Sequence, residues 1–233
     1  MAPVIPLRDD LPTSRPPVLT VGLIAANVAA FLWQVLGVGM EASVGWGGLV
    51  PARLLGLVPG EGGPALPPLA TLFSSMFLHG SFAHIAGNML FLWVFGNNVE
   101  DALGRPRFLA FYLLTGLGAA AAQTGAALVA GSRDLLIPMV GASGAISGVL
   151  AAYLVMFPRA RVLTLVPIFV FIRFVQLPAS LFLGGWFVLQ LLGAFLGDGG
   201  GGVAFMAHVG GFVAGLLLVL VWRPRPRARS QGW

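Results

Sequence analysis

Four polar side chains stand in apolar surroundings, and their types suit acyl transfer. Ser143 lies in "MVGASGAISGVL" (139–150) and His208 in "FMAHVGGFVAGLL" (205–217). His84 and Asn88 sit four residues apart in a third apolar run. A serine hydroxyl is a weak nucleophile until a base takes its proton. His208 is the base this sequence offers, provided oxygen and nitrogen approach to about 2.6–3.2 Å. Attack on a carbonyl creates an oxyanion, which needs donors arranged in advance. The His84 ring N–H, the Asn88 amide and the Ser143 backbone N–H are suitable. The four-residue spacing puts His84 and Asn88 on one helical face. No acid lies in the outer half of any apolar run, and Asp134 and Asp198 fall in connecting segments. The expectation is therefore a Ser–His dyad, not a triad with a buried carboxylate.

Other chemistries fit less well. Cysteine and lysine are absent, so there is no thiol nucleophile, thiolate metal site or serine–lysine dyad. The histidines lack the His-Glu-x-x-His pattern of zinc proteases, and no aspartate pair falls within the apolar runs. No cofactor and no metal are expected. The formal charge is +5, but no basic stripe with interleaved aromatics accompanies it, so nucleic acid is not an expected partner.

Hydrophobic residues make up 58% of the 233-residue chain and charged ones only 9%. Soluble domains carry about 25% charge, so the chain reads as a membrane protein whose partner is the lipid bilayer. Crossing a hydrocarbon core of ~30 Å takes about 20 apolar residues. Candidate spans are 18–38, 83–103, 107–130, 139–157, 175–195 and 203–222. The expected fold is all-α, a six-transmembrane-helix bundle. Residues 1–17 form an N-terminal tail, 18–222 the membrane domain and 223–233 a basic C-terminal tail. The connection 39–82 is rich in Leu, Val, Phe and Trp, and is expected to lie partly in the membrane interface. Residues 162–174, with Arg173, are read as an interfacial stretch leading into the fifth span.

Six spans put both termini on one side, together with Arg8, Arg15, Arg105, Arg107, Arg159, Arg161, Arg173, Arg223, Arg225, Arg227 and Arg229. Arg53 and Arg133 fall on the other side. The positive-inside rule then expects an inner plasma membrane with cytoplasmic termini. In that orientation the second, fourth and sixth spans run inward, and all four polar residues fall in their first turns. At 1.5 Å per residue they share a depth of roughly 5–10 Å below the outer boundary. Gly141, Gly144 and Gly148 on the fourth span, and Gly211 and Gly215 on the sixth, recur at three- and four-residue spacing. Such small residues let two membrane helices approach closely, which the short Ser143 side chain requires.

Three motifs in this order resemble the rhomboid family of intramembrane serine proteases. They are "HIAGN" (84–88), "GASG" (141–144) and "AHVGGFVAG" (207–215). The similarity extends over about residues 71–216. It implies Ser143 as nucleophile, His208 as base, and His84, Asn88 and the Ser143 backbone as the oxyanion hole. It also implies structural roles for His79 and Glu100, and a gate formed by the fifth helix and the loop "GDGGGG" (197–202). Membrane-anchored proteins are the implied substrates, cut after small residues. Two positions depart from the family pattern. Ala70 and Thr71 stand where many members carry Trp-Arg, and Ser147 stands where an aromatic ring often stacks on the catalytic histidine. A hydrogen bond from Ser147 to His208 is the expected replacement. An inactive rhomboid-like protein that binds membrane clients is the alternative. A transporter would instead place polar groups through the full depth of the spans.

Overall fold

The computed structural model describes residues 4–58, 66–168, 171–196 and 204–222. The loop "GDGGGG" and the basic segment 223–233, with the expectations attached to them, lie outside the described residues. Strand β1 (Ile5–Asp9) precedes helix α1 (Val18–Trp33), which ends in a π-helical turn (Gln34–Val38). Short helices α2 (Met40–Gly47), α3 (Pro51–Leu54) and α4 (Pro68–Ser74) follow. Next come α5 (Phe82–Leu103), α6 (Arg105–Ala130), α7 (Ser132–Leu135) and α8 (Ser143–Met156). Strands β2 (Arg161–Ile168) and β3 (Phe171–Pro178) lead into α9 (Ala179–Leu196), and α10 (Phe205–Trp222) closes the described chain.

The protein is mostly helical, as expected. Residues 18–38, α6, α9 and α10 are each long and apolar enough to cross a membrane. Their outward faces carry large exposed apolar side chains, among them Leu36, Val129, Leu181, Phe195 and Val221. Apolar surface on this scale belongs against lipid, and the chain is a membrane protein. The other two expected spans differ in character. α5 carries Asn97, Asn98, Glu100 and Asp101 at one end. α8 has only 14 residues, about 21 Å at 1.5 Å per residue. Every residue from Gly144 to Tyr153 on α8 is buried. α8 is thus the central rod, wrapped by α5, α6, α9 and α10. Because it is shorter than the hydrocarbon core is thick, its first residue can stand below a membrane surface.

Glycine sets the closest packing. A Cβ on Gly211 would collide with the Gly144 carbonyl, and one on Gly215 would stand 2.5 Å from Gly148 Cα. The spacing read from the sequence therefore marks a real seam between α8 and α10. At the end of the bundle away from Ser143, Glu100 anchors α1. Its carboxylate accepts Leu19 N–H (3.0 Å), Thr20 N–H (2.7 Å) and the Thr20 hydroxyl (2.8 Å). Free N–H groups at a helix start favour such an anion.

The structure adds a small sheet at this far end. The three strands run antiparallel in the order β1-β2-β3. Of residues 162–174, read as an interfacial stretch, 162–168 lie in β2 and 171–174 in β3, and 175–178 complete β3 rather than beginning a helix. The segment 1–17 is likewise not simply a tail. Asp9, at the end of β1, accepts Asn98 Nδ2–H (2.7 Å) from α5 and the Tyr153 hydroxyl (2.5 Å) from α8. Buried polar groups need partners, and this network ties β1 to two helices.

Candidate active site

Ser143 is the first residue of α8, and the chain before it is held in place by the long connection. Leu49 and Met139 exchange both backbone hydrogen bonds (3.0 and 2.8 Å), and Gly141 N–H donates to Ser75 O at 2.8 Å. Residues 139–142 are therefore not helix, as the expected fourth span had them. Gly141 adopts φ +125°, a conformation that favours glycine. A Cβ there would also stand 2.7 Å from His84 Nε2. This turn presents Ser143 with the unpaired N–H groups of a helix start around it.

His208 enters from α10. Its Nε2 lies 2.8 Å from Ser143 Oγ, within proton-transfer distance. The gap is closed by the glycine seam, since His208 precedes Gly211 by three residues and Ser143 precedes Gly144 by one. Gln123 on α6 steadies the start of α10 by accepting Ala207 N–H at 3.1 Å.

His84 stands in the first turn of α5, which Ser81 caps by accepting His84 N–H at 3.1 Å. Gly80 N–H points at His84 Nδ1 from 3.5 Å. That contact favours the ring proton on Nε2, the nitrogen beside Gly141. Asn88, one turn on, donates one amide N–H to His84 O at 3.0 Å; its second amide N–H is not needed for that contact. Ser143, His208, His84 and Asn88 line one cavity of about 1030 Å³, with Gln123, Trp186 and Phe205. Asp134 also lines it. All four residues singled out by type and spacing thus meet around one space.

Two side chains are arranged otherwise than the sequence suggested. Ser147 does not reach His208; its hydroxyl donates to Ser143 O at 2.7 Å. The reason is local, because a serine inside a helix readily bonds the carbonyl four residues back. Instead, Gln190 Oε1 of α9 lies 2.7 Å from His208 Nδ1, and the Trp186 ring, one turn earlier, lies 5.9 Å from the imidazole. Gln190 was missed from sequence. It is the one amide side chain in the apolar run 179–196, and an isolated polar group in such a run is the available signal. His79 is fully buried between α1 and α5, edge-on to Phe31 and to His84. The Gln34 side chain brackets its backbone, accepting His79 N–H at 2.9 Å and donating to His79 O at 3.2 Å. This is a structural setting away from the cavity lining.

Comparison with known proteins supplies the family. A rhomboid-domain model matches residues 68–225, more than half of the chain. Human presenilin-associated rhomboid-like protein, mitochondrial, is 30% identical over 215 residues, 88% of this chain and 49% of the relative. Rhomboid protein 1, mitochondrial, from Saccharomyces cerevisiae is 30% identical over 151 residues, 63% of this chain and 40% of the relative. Rhomboid protease AarA from Providencia stuartii is 38% identical over 86 residues, 34% of this chain and 31% of the relative. The chain spans about half the length of these curated relatives or less. Their names also correct the expected location. The arginine asymmetry is blind to which organelle holds the membrane, and the relatives that cover most of the chain are named as mitochondrial proteins, which overturns the expectation of an inner plasma membrane. The chain belongs to the rhomboid family, which includes serine intramembrane proteases.

Proposed function

We propose that this protein is an intramembrane serine endopeptidase that cuts membrane-anchored proteins in or near their transmembrane segments. The observation that carries this reading is the 2.8 Å approach of His208 Nε2 to Ser143 Oγ inside a cavity. His208 takes the hydroxyl proton as Ser143 Oγ bonds to the substrate carbonyl carbon. The carbonyl π electrons move to oxygen, and that oxyanion is held by the Ser143 N–H, the His84 Nε2–H and the free N–H of Asn88. His208 then gives its proton to the leaving amide nitrogen as the C–N bond breaks, leaving an acyl-enzyme. A water attacks the ester with His208 again as base, the acid product departs, and Ser143 regains its proton.

Six spans remain the proposed topology, with α8 crossing inside the bundle and α5 among the helices around it. A substrate helix enters from the side of the bundle and unwinds locally, because a helical carbonyl is already engaged by its own N–H donor. By family resemblance, small residues precede the cut. His79 and Glu100 act structurally. The relative named as a protease supports the same chemistry for this chain.

A serine-directed fluorophosphonate probe tests the reading. The expected result is a label on Ser143, located by mass spectrometry, that is lost in His208→Ala. A folded, unlabelled wild type favours instead the rhomboid-like binding protein.

A further inference from the structure

The two ring nitrogens of His208 face different helices. Nε2 meets Ser143 Oγ on α8 at 2.8 Å, and Nδ1 meets Gln190 Oε1 on α9 at 2.7 Å. An amide oxygen can only accept a hydrogen bond. It pairs with Nδ1 only when that nitrogen carries the ring proton. In neutral imidazole Nε2 then keeps its lone pair, which is the form able to take a proton from Ser143. Turned end for end, the same amide would donate to Nδ1 and move the proton to Nε2. That form could not act as the base.

The geometry points to Gln190 as the positioning residue that fixes the tautomer and ring angle of His208. The inference rests on the reading of Ser143 and His208 as the reacting pair. Among the described residues, no carboxylate is hydrogen-bonded to Nδ1, so the amide fills the place that an acid fills in soluble triads. A neutral partner suits an apolar site, because a carboxylate there would need further donors to offset its desolvation. Trp186, one turn before Gln190, lies against the same imidazole. Gln190 thus limits the ring's rotation about its bond to Cβ, and Trp186 limits its tilt. The reach of Gln190 depends on where α9 sits. The buried residues of α9 are Ala179, Phe182 and Leu183, all in its first turns. Nearer the site, the stacked Phe187–Phe212 pair, 4.0 Å apart, holds α9 to α10. A helix fixed at one end and lightly held at the other therefore carries the residue that readies the base.

The test uses the full chain in lipid nanodiscs with 15N-labelled histidine. Only three histidines are present, and His208→Ala identifies the relevant signals. The expected wild-type spectrum has a protonated Nδ1 and a bare Nε2 at His208. Gln190→Met keeps the shape but removes the acceptor. It should give mixed tautomers and lower kcat on a single-span substrate by roughly 10–100-fold, the range found when the partner behind a metal-bound histidine is removed, with KM unchanged. Gln190→Glu, which still accepts at Nδ1, should recover most of the rate. A wild-type spectrum with the proton on Nε2, or a Gln190→Met enzyme with unaltered tautomer and kcat, overturns the inference. Fluorophosphonate labelling separates the two levels. Labelling that needs His208 but not Gln190 sinks the positioning role alone. Labelling that needs neither sinks both.

Discussion

Gly211 of α10 lies directly against the carbonyl of Gly144 on α8, three residues past His208 and one past Ser143. The contact that packs the two helices is therefore also the contact that sets the Ser143–His208 distance. Gly211→Ala must push the helices apart, because its Cβ meets backbone and not a flexible side chain. The expected cost is about 1–3 kcal/mol or more, read as a lower unfolding midpoint. Ser143 labelling should fall even in the fraction that stays folded. Labelling at the wild-type rate would separate packing from reactivity.

Asn88 and His84 are proposed to serve the oxyanion and not the proton. Asn88→Ala is expected to lower kcat by about 10²–10³-fold, the usual loss for one such donor. KM should hold, since the donor matters most in the transition state. Steady-state kinetics on a single-span substrate checks this. A variant that raises KM alone would make Asn88 a substrate-binding group.

Glu100 is 3% exposed and joins α5 to the first turn of α1 through three hydrogen bonds. Glu100→Gln replaces one accepting oxygen by a donor that faces N–H groups. The expected loss is about 1.5–3 kcal/mol of stability, with Ser143 labelling retained in the folded fraction. Thermal unfolding with parallel labelling tests both halves of that statement.

His79, in the loop before α5, has no hydrogen-bond partner for either ring nitrogen among the described residues. Burial, aided by the nearby His84, lowers its pKa from 6.5 to about 4. The unfolded chain therefore takes up a proton near pH 6.5 that the folded chain refuses until about pH 4. The stability that neutral His79 leaves intact at pH 7 is lost as pH falls through that window, on the order of 3 kcal/mol in all. His79→Phe should flatten the fall of the unfolding temperature between those pH values. Parallel curves for the two proteins would show that His79 is not the sensor.

The site was more legible than its surroundings, and the reason is physical. In apolar runs a polar side chain is costly, so Ser143, His208, His84 and Asn88 stand out by type alone, and the glycines at 144, 148, 211 and 215 report close approach directly. Gln190 carried the same kind of signal. Its relation to His208 is tertiary, however, and Ser147 offered a nearer partner by sequence. Ser147 is taken by its own helix's backbone. The sheet was hidden for a different reason. "RVLTLVPI" is a short continuous apolar run, which periodicity cannot separate from helix or interfacial chain. Its partner β1 lies at the other end of the sequence. Asp9 fell within the segment read as an N-terminal tail, and nothing local shows that Asn98 and Tyr153 come to meet it.

The central claim is that Ser143 and His208 act as one reacting pair. The most direct measurement is cleavage of a single-span membrane protein in liposomes by wild type, Ser143→Ala and His208→Ala at matched folded concentration. The account predicts cleavage by the wild type and none detectable in either variant. Unchanged cleavage by Ser143→Ala would contradict it.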